Sequence, residues 1–179
     1  MAQKIVKNRA ASNRAKLLNI ARLEKIDFDG LLLRFMQERL LHRLSLSKYK
    51  SRFVLKGGLL LACYDLPFLR ATKDIDLLAK EVDNRPDLMK KMFTDILKRP
   101  YDDGVTFDVT SIAAENIKKG SDYVGIRIKL RAKLEQAIKT IQIDIGFGDV
   151  IIPKPIKMAM TMDFETVMAK ISTFLRPVV

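Results

Sequence analysis

Asp74 and Asp76 stand two residues apart inside an apolar run, Asp74-Ile-Asp-Leu-Leu-Ala79. On a strand, residues i and i+2 share a face, so both carboxylates point one way and Ile75 the other. Like charges held side by side repel, and a fold keeps them when a cation sits between them. Oxygen-only ligands suit Mg²⁺ or Mn²⁺, with phosphate oxygens completing the octahedron. Upstream, Lys56-Gly57-Gly58 closes one apolar run and opens another, Leu59 to Tyr64. A glycine pair lets a backbone turn approach a phosphate, with the N-terminal amides of a following helix facing it. A phosphate cradle and a two-acid cation clamp in one segment imply chemistry on a nucleoside triphosphate.

Asp144 is the third acid of interest. It lies in Thr140–Ile145, where Ile141, Ile143 and Ile145 alternate with Gln142 and Asp144. Acids are uncommon in such company unless paired, hydrogen-bonded or metal-bound. If this strand lies beside the one carrying Asp74 and Asp76, three carboxylates meet at one cation site and can hold two divalent ions. One ion would orient a triphosphate and the other would activate an attacking hydroxyl, with Asp144 placed to accept its proton. The competing reading is an edge acid facing solvent opposite Arg127 or Lys129. For Asp74 and Asp76 it is a solvent-facing pair compensated by Arg70 and Lys73. Lys56, Gly57 and Gly58 form the nucleotide side of the candidate site. Arg70 would neutralise phosphate charge, and Thr72 would either hydrogen-bond within the loop or cap a turn.

Other chemistries are excluded by what is missing. Gly146-x-Gly148 is too short for a dinucleotide fingerprint, and Gly57-Gly58 lacks the Lys-Ser/Thr of a P-loop. The single cysteine, Cys63, rules out an internal disulfide or a thiolate cluster, and reads as buried filler. The single histidine, His42, removes His-dependent triads and zinc sites.

The elements that must position these residues follow from periodicity. Residues 1–26 are basic, with Ala15, Leu18, Ala21, Leu23 and Ile26 as a loose helical stripe and Asn13, Arg14, Lys16 and Arg22 projecting elsewhere. Asp27 or Asp29 caps a second helix to Leu46, packing Leu32, Phe35, Met36, Leu40 and Leu44 inward. Its arginines 34, 39 and 43 are expected on a solvated face. Arg52–Leu55 reads as a strand, Leu59–Tyr64 as a helix, and Ile75–Ala79 as a strand after a loop broken at Pro67. A helix from Asp87 to Lys98 turns Leu88, Met92, Phe93 and Ile96 inward, and 100–104 is a turn. Val105–Ile112, Gly125–Lys133 and Thr140–Ile145 are strands, the last two alternating as in a sheet with one buried face. A turn region containing Asp149, Pro153 and Pro155 precedes a last helix from Phe164 to Phe174.

This order predicts an α+β (mixed α/β) fold, a mixed sheet flanked by helices and preceded by two N-terminal helices. A chain of 179 residues fits one domain. Within it, 1–50 form a helical part, 51–152 the sheet core, and 153–179 the start of a C-terminal helical region. No apolar run is long enough to span a bilayer. The N-terminus lacks a signal-peptide core, which makes the cytoplasm the default compartment. The net charge of +12 favours a polyanionic partner, nucleic acid ahead of membrane, although a solvated basic surface or an acidic protein partner would also fit.

The segments Arg34–Ser45, Arg52-Phe-Val-Leu-Lys-Gly-Gly58 and Arg70-x-Thr72-x-Asp-Ile-Asp-Leu77 resemble the AbiEii/AbiGii toxin family. Further matches lie at Asp103-Gly104, Phe107-Asp108, Tyr123-x-Gly125-x-Arg127 and Gln142–Asp149, in family order from about Leu31 to about Ala169. The family consists of nucleotidyltransferases of the DNA-polymerase-β-like superfamily. The resemblance implies a Mg²⁺- or Mn²⁺-dependent enzyme that moves a nucleoside monophosphate from an NTP to an RNA hydroxyl, with tRNA as one candidate acceptor and a cognate antitoxin as partner. It assigns the metal and catalytic roles to Asp74, Asp76 and Asp144. At Gly58 the superfamily often has Ser, whereas this toxin family frequently has Gly or Ala, and backbone amides must then serve in place of the hydroxyl; the pattern departs from the family after Ala169. Lys170 follows there directly and the expected helical second half does not. Two further readings therefore stand beside the transferase: a truncated, non-catalytic binding module, and a metal-dependent phosphodiester hydrolase.

Overall fold

The computed structural model describes residues 8–61, 72–119 and 123–148. Cys63, Pro67, Arg70, Asp149, the helix expected over 164–174 and Lys170 lie outside the described residues. The order of elements is α1 (Arg9–Leu23), α2 (Phe28–Ser45), a 3₁₀ turn (Lys50–Arg52), β1 (Phe53–Lys56), α3 (Gly57–Leu61), β2 (Asp74–Ala79), α4 (Pro86–Leu97), β3 (Val105–Lys119), β4 (Tyr123–Leu134) and β5 (Ala137–Phe147). The strands form one sheet in the order β1-β2-β5-β4-β3. Only β2 and β5 run parallel, and every other neighbouring pair is antiparallel. The fold is therefore the mixed α+β sheet with two N-terminal helices that the periodicity predicts.

Alternation builds the sheet's two faces. Ile75 and Leu77 of β2, Ile126, Ile128, Leu130, Ala132 and Leu134 of β4, and Ile141, Ile143 and Ile145 of β5 are buried. With Phe35, Met36 and Leu40 of α2 and Met89, Met92, Phe93 and Ile96 of α4 they make one core. The intervening residues point to the opposite face, where Lys129, Arg131, Lys133, Ile138 and Thr140 are exposed. Asp27 caps α2 by accepting from the Gly30 amide at 2.6 Å. Pro86 opens α4, where its missing N–H costs nothing. Met89 is fully buried in that helix and Leu88 only in part, one position away from the predicted stripe.

Two expectations about the helices need correction. Leu17 and Ala21 form the buried stripe of α1, while Ala15 is exposed and Leu23 is largely so. Asn13, expected outside, is buried and donates from Nδ2 to the Asp103 carbonyl at 2.9 Å. The arginines of α2 are buried as well. Arg34 pairs with Glu38 at 2.7 Å, one turn along the same helix. Burial pushes Arg39 below its ordinary pKa, with Asp103 and Glu38 pulling the other way. Arg43 clasps Asp103 through both guanidinium nitrogens, at 2.9 and 3.0 Å. The reason is that α2 carries leucines all round, Leu31 to Leu33 and Leu40 to Leu41. Such a helix is enclosed on every side, and its charged residues go inside with it.

The Asp103–Gly104 turn is fitted against α1. Gly104 has φ +77, and a β-carbon there would come within 2.7 Å of the Ala10 backbone. The close approach explains why a glycine stands at this corner, between α4 and β3.

Candidate active site

The pairing register, rather than the length of chain between them, brings the three acids to one face. Asp76 of β2 lies directly beside Asp144 of β5, and Asp74 beside Gln142. On the other flank of β2, Lys56 is the partner of Asp76. Across β5, Arg127 is the partner of Asp144, and across β4, Glu115 is the partner of Arg127. One row across the open face thus reads Lys56, Asp76, Asp144, Arg127, Glu115, one residue from each of the five strands. Opposite charges alternate along it except between Asp76 and Asp144, where two acids meet.

Asp144 is only 3% exposed. Arg127 donates from Nε and Nη2 to its two carboxylate oxygens, both at 2.8 Å, and Gln142 approaches Oδ1 at 3.4 Å. The hydrogen bond to Asp144 raises the Arg127 pKa, and Glu115 and Asp74 add to it. Because that shift is upward, the clamp is fully formed below the ordinary guanidinium range and weakens only at extreme alkalinity. Asp74 is oriented by Thr72, whose hydroxyl faces its Oδ1 at 2.9 Å and its carbonyl at 3.1 Å. Thr72 therefore acts through a hydrogen bond within the loop.

The glycine pair reaches the same place. Gly57 has φ +69, and a β-carbon there would overlap Oδ2 of Asp76 and stand 2.9 Å from its Cγ. At Gly58 the added atom would come within 3.3 Å of Thr72 Cβ. The Gly57 backbone and the Asp76 carboxylate therefore occupy one cradle that a side chain would fill. Gly57→Ala should displace Asp76, since alanine resists a positive φ as well. The expected result is divalent-cation and nucleotide affinity down at least about tenfold from a misplaced charge, with a melting temperature only a few degrees lower. Parallel melting and nucleotide-binding curves with and without Mg²⁺ check it.

A divalent cation fits this donor set in a limited way. Among the described residues no three acidic, histidine or cysteine side chains are gathered closely enough to hold a metal together. Asp74 and Asp76 offer two hard oxygen ligands on one face, and Asp144 is engaged by Arg127. Two carboxylates completed by phosphate oxygens are how Mg²⁺ is bound with nucleotides, in contrast to the all-protein cages of Ca²⁺. Lys56, Gly57, Gly58 and Thr72 border the acids, whereas Arg70 lies outside the described residues.

Arg127 and Glu115 are the members of the row that motif reading left without a site role. Arg127 stands in Tyr123-x-Gly125-x-Arg127, and the signal available for it was its place on the polar face of an alternating strand. Glu115 carries no motif, and only the pairing of β3 with β4 reveals it. No helix among the described residues is long and apolar enough to cross a membrane. A search of curated proteins returned no match. The model of the family described as nucleotidyl transferase AbiEii toxin, type IV TA system, matches residues 39–177. That span holds all five members of the charged row, the glycine pair and most of the chain. The chain belongs to the AbiEii nucleotidyltransferase toxin family of type IV toxin–antitoxin systems.

Proposed function

We propose that the protein transfers a nucleoside monophosphate from an NTP to a hydroxyl of RNA, with Mg²⁺ or Mn²⁺, as the toxin of a pair whose antitoxin restrains it. The observation that carries this reading is the in-register pair Asp76–Asp144, with Asp74 one step along and the Gly57 backbone against Asp76. Asp74 and Asp76 would hold the ion, and the ion when bound would neutralise triphosphate charge and ease deprotonation of the attacking hydroxyl. Lys56 adds a positive charge on the nucleotide side, and Gly57 and Gly58 leave room for phosphate oxygens beside the backbone. Arg127 aims the Asp144 carboxylate through its two hydrogen bonds. Asp144 accepts the hydroxyl proton on a carboxylate oxygen as the hydroxyl attacks the α-phosphorus. A new phosphorus–oxygen bond to RNA forms, the bond to the bridging oxygen breaks, and pyrophosphate leaves. The basic balance of the chain, +12, suits a polyanionic acceptor.

The test is incubation with each α-labelled NTP, Mg²⁺ and total RNA, including a tRNA fraction. Label is expected in RNA, with pyrophosphate released in equal amount and both lost on adding a chelator. Thermal stabilisation by NTP without label in RNA would replace the transferase with a binding module. Shortened RNA or free monophosphate would replace it with a hydrolase.

A further inference from the structure

The open face of the sheet continues past the acid row along β4, and its chemistry is different there. Lys129, Arg131 and Lys133 follow Arg127 at every second position, all exposed and all on the acids' side of the sheet. Their cross-strand partners on β5 are uncharged: Gln142, Thr140 and Ile138. We propose that this strip binds the backbone of the acceptor RNA as a single strand, one phosphate to each basic side chain, with the reacting hydroxyl delivered to Asp76 and Asp144. The inference rests on the transferase reading for its direction, although the strip's binding is measured without turnover.

Spacing is the first argument. Alternate residues of a strand are about 7 Å apart, which matches the separation of successive phosphates in an extended polynucleotide. The second is available charge. Lys133 has no ion-pair partner among the described residues, and Lys129 meets Glu115 only at 3.6 Å between two exposed groups. Such a pair is weak and is readily exchanged for a phosphate. Arg131 gives Nη2 to Asp108 at 2.6 Å, while Nε and Nη1 have no partner among the described residues. Asp108 itself is occupied in shaping the β3 bulge, accepting from the Thr110 amide and hydroxyl at 3.1 and 2.6 Å. The third argument is that the strip's cross-strand partners among the described residues, Ala113, Asp108 and Thr106 on β3 and Gln142, Thr140 and Ile138 on β5, include no aromatic side chain. These neighbours favour electrostatic contact with phosphates over base stacking as the mode of binding.

The experiment uses the full chain and a fluorescent single-stranded RNA, titrated between 50 and 200 mM salt. Lys129→Gln, Arg131→Gln and Lys133→Gln are combined in one variant. Lys90→Gln and Lys91→Gln on α4, which packs against the covered face, with Lys98→Gln at its C-cap, remove the same charge as a control. The strip variant is expected to bind at least about tenfold more weakly, with its slope of log affinity against log salt smaller by about 2, as for three lost single-strand phosphate contacts. Melting temperature and NTP-induced stabilisation should be unchanged. An unaltered slope, or an equal loss in the α4 control, would overturn the strip. Retained RNA affinity with lost binding of polyglutamate would assign the face to an acidic protein instead. Strip-dependent RNA binding in a protein that does not label RNA would overturn the transferase reading alone, and labelling of RNA with strip-independent binding would overturn the strip alone.

Discussion

Asp76→Asn is expected to reduce RNA labelling by about 10²–10³-fold, the cost of losing one preorganised electrostatic group at a reacting centre, while the protein melts at the same temperature or slightly higher. The two effects point in opposite directions for one reason. Asp76 stands in register beside the buried Asp144, and the only cations along that row, Lys56 and Arg127, stand on its outer flanks. Two carboxylates set side by side in register repel, which costs the free protein stability. Asparagine keeps the size and one acceptor oxygen but removes the charge, so the repulsion goes and the cation seat goes with it. Asp74→Asn should lower activity similarly and leave melting closer to the parent, because Asp74 has uncharged Gln142 as its strand partner. Arg127→Met should lower activity too but with a lower melting temperature, since it strips the paired cation from a buried acid. Labelling and calorimetry on the three variants decide the matter. Asp76→Asn that still labels RNA at the parental rate would remove this carboxylate from the chemistry.

The sequence makes the ingredients of this site readable and hides the joinery. Alternation in 125–133 and 140–145 fixes which residues leave the core, because every second residue of a half-buried strand must be apolar. Asp74 and Asp76 share a face for the same local reason. That β2 and β5 are parallel neighbours, and that their register sets Asp76 exactly opposite Asp144 instead of one residue away, depends on how the two strands enter the sheet from distant parts of the chain. A slip of one residue would have sent Asp144 into the core. Helix α2 misleads in the other direction. Its arginines look like a solvent face when read by residue type, yet its leucines leave no face for solvent. Enclosure is a tertiary property, visible in the pattern only when hydrophobic residues are counted around the whole helix.

Arg43→Met should destabilise the fold by about 3–5 kcal/mol, the usual cost of leaving one member of a buried ion pair uncompensated. Both side chains are almost wholly enclosed, 4% exposed for Arg43 and 6% for Asp103. The guanidinium does more than pair. It donates to the Arg39 carbonyl at 3.0 Å and to the Val105 carbonyl at 2.9 Å, and lies over the Phe107 ring at 4.7 Å. Asp103 also accepts from the Val105 amide at 3.0 Å, and its own carbonyl accepts from Asn13 of α1. One side chain of α2 therefore holds the turn into β3 and, through that turn, the start of α1. Methionine fills similar volume but supplies no donors, so Asp103 keeps a single amide and two carbonyls lose a partner. At about 2–4 °C per kcal/mol for a chain of this size, the melting temperature should fall by roughly 10 °C. Asp103→Leu added to Arg43→Met removes the stranded charge and should recover part of that loss. Recovery stays incomplete because the Arg39 and Val105 carbonyls still lack the additional donor that the guanidinium supplied. A double-mutant cycle on melting measures the coupling between the two side chains. Additive losses would mean that the pair is a contact without energetic weight, and that apolar packing alone joins these helices to the sheet.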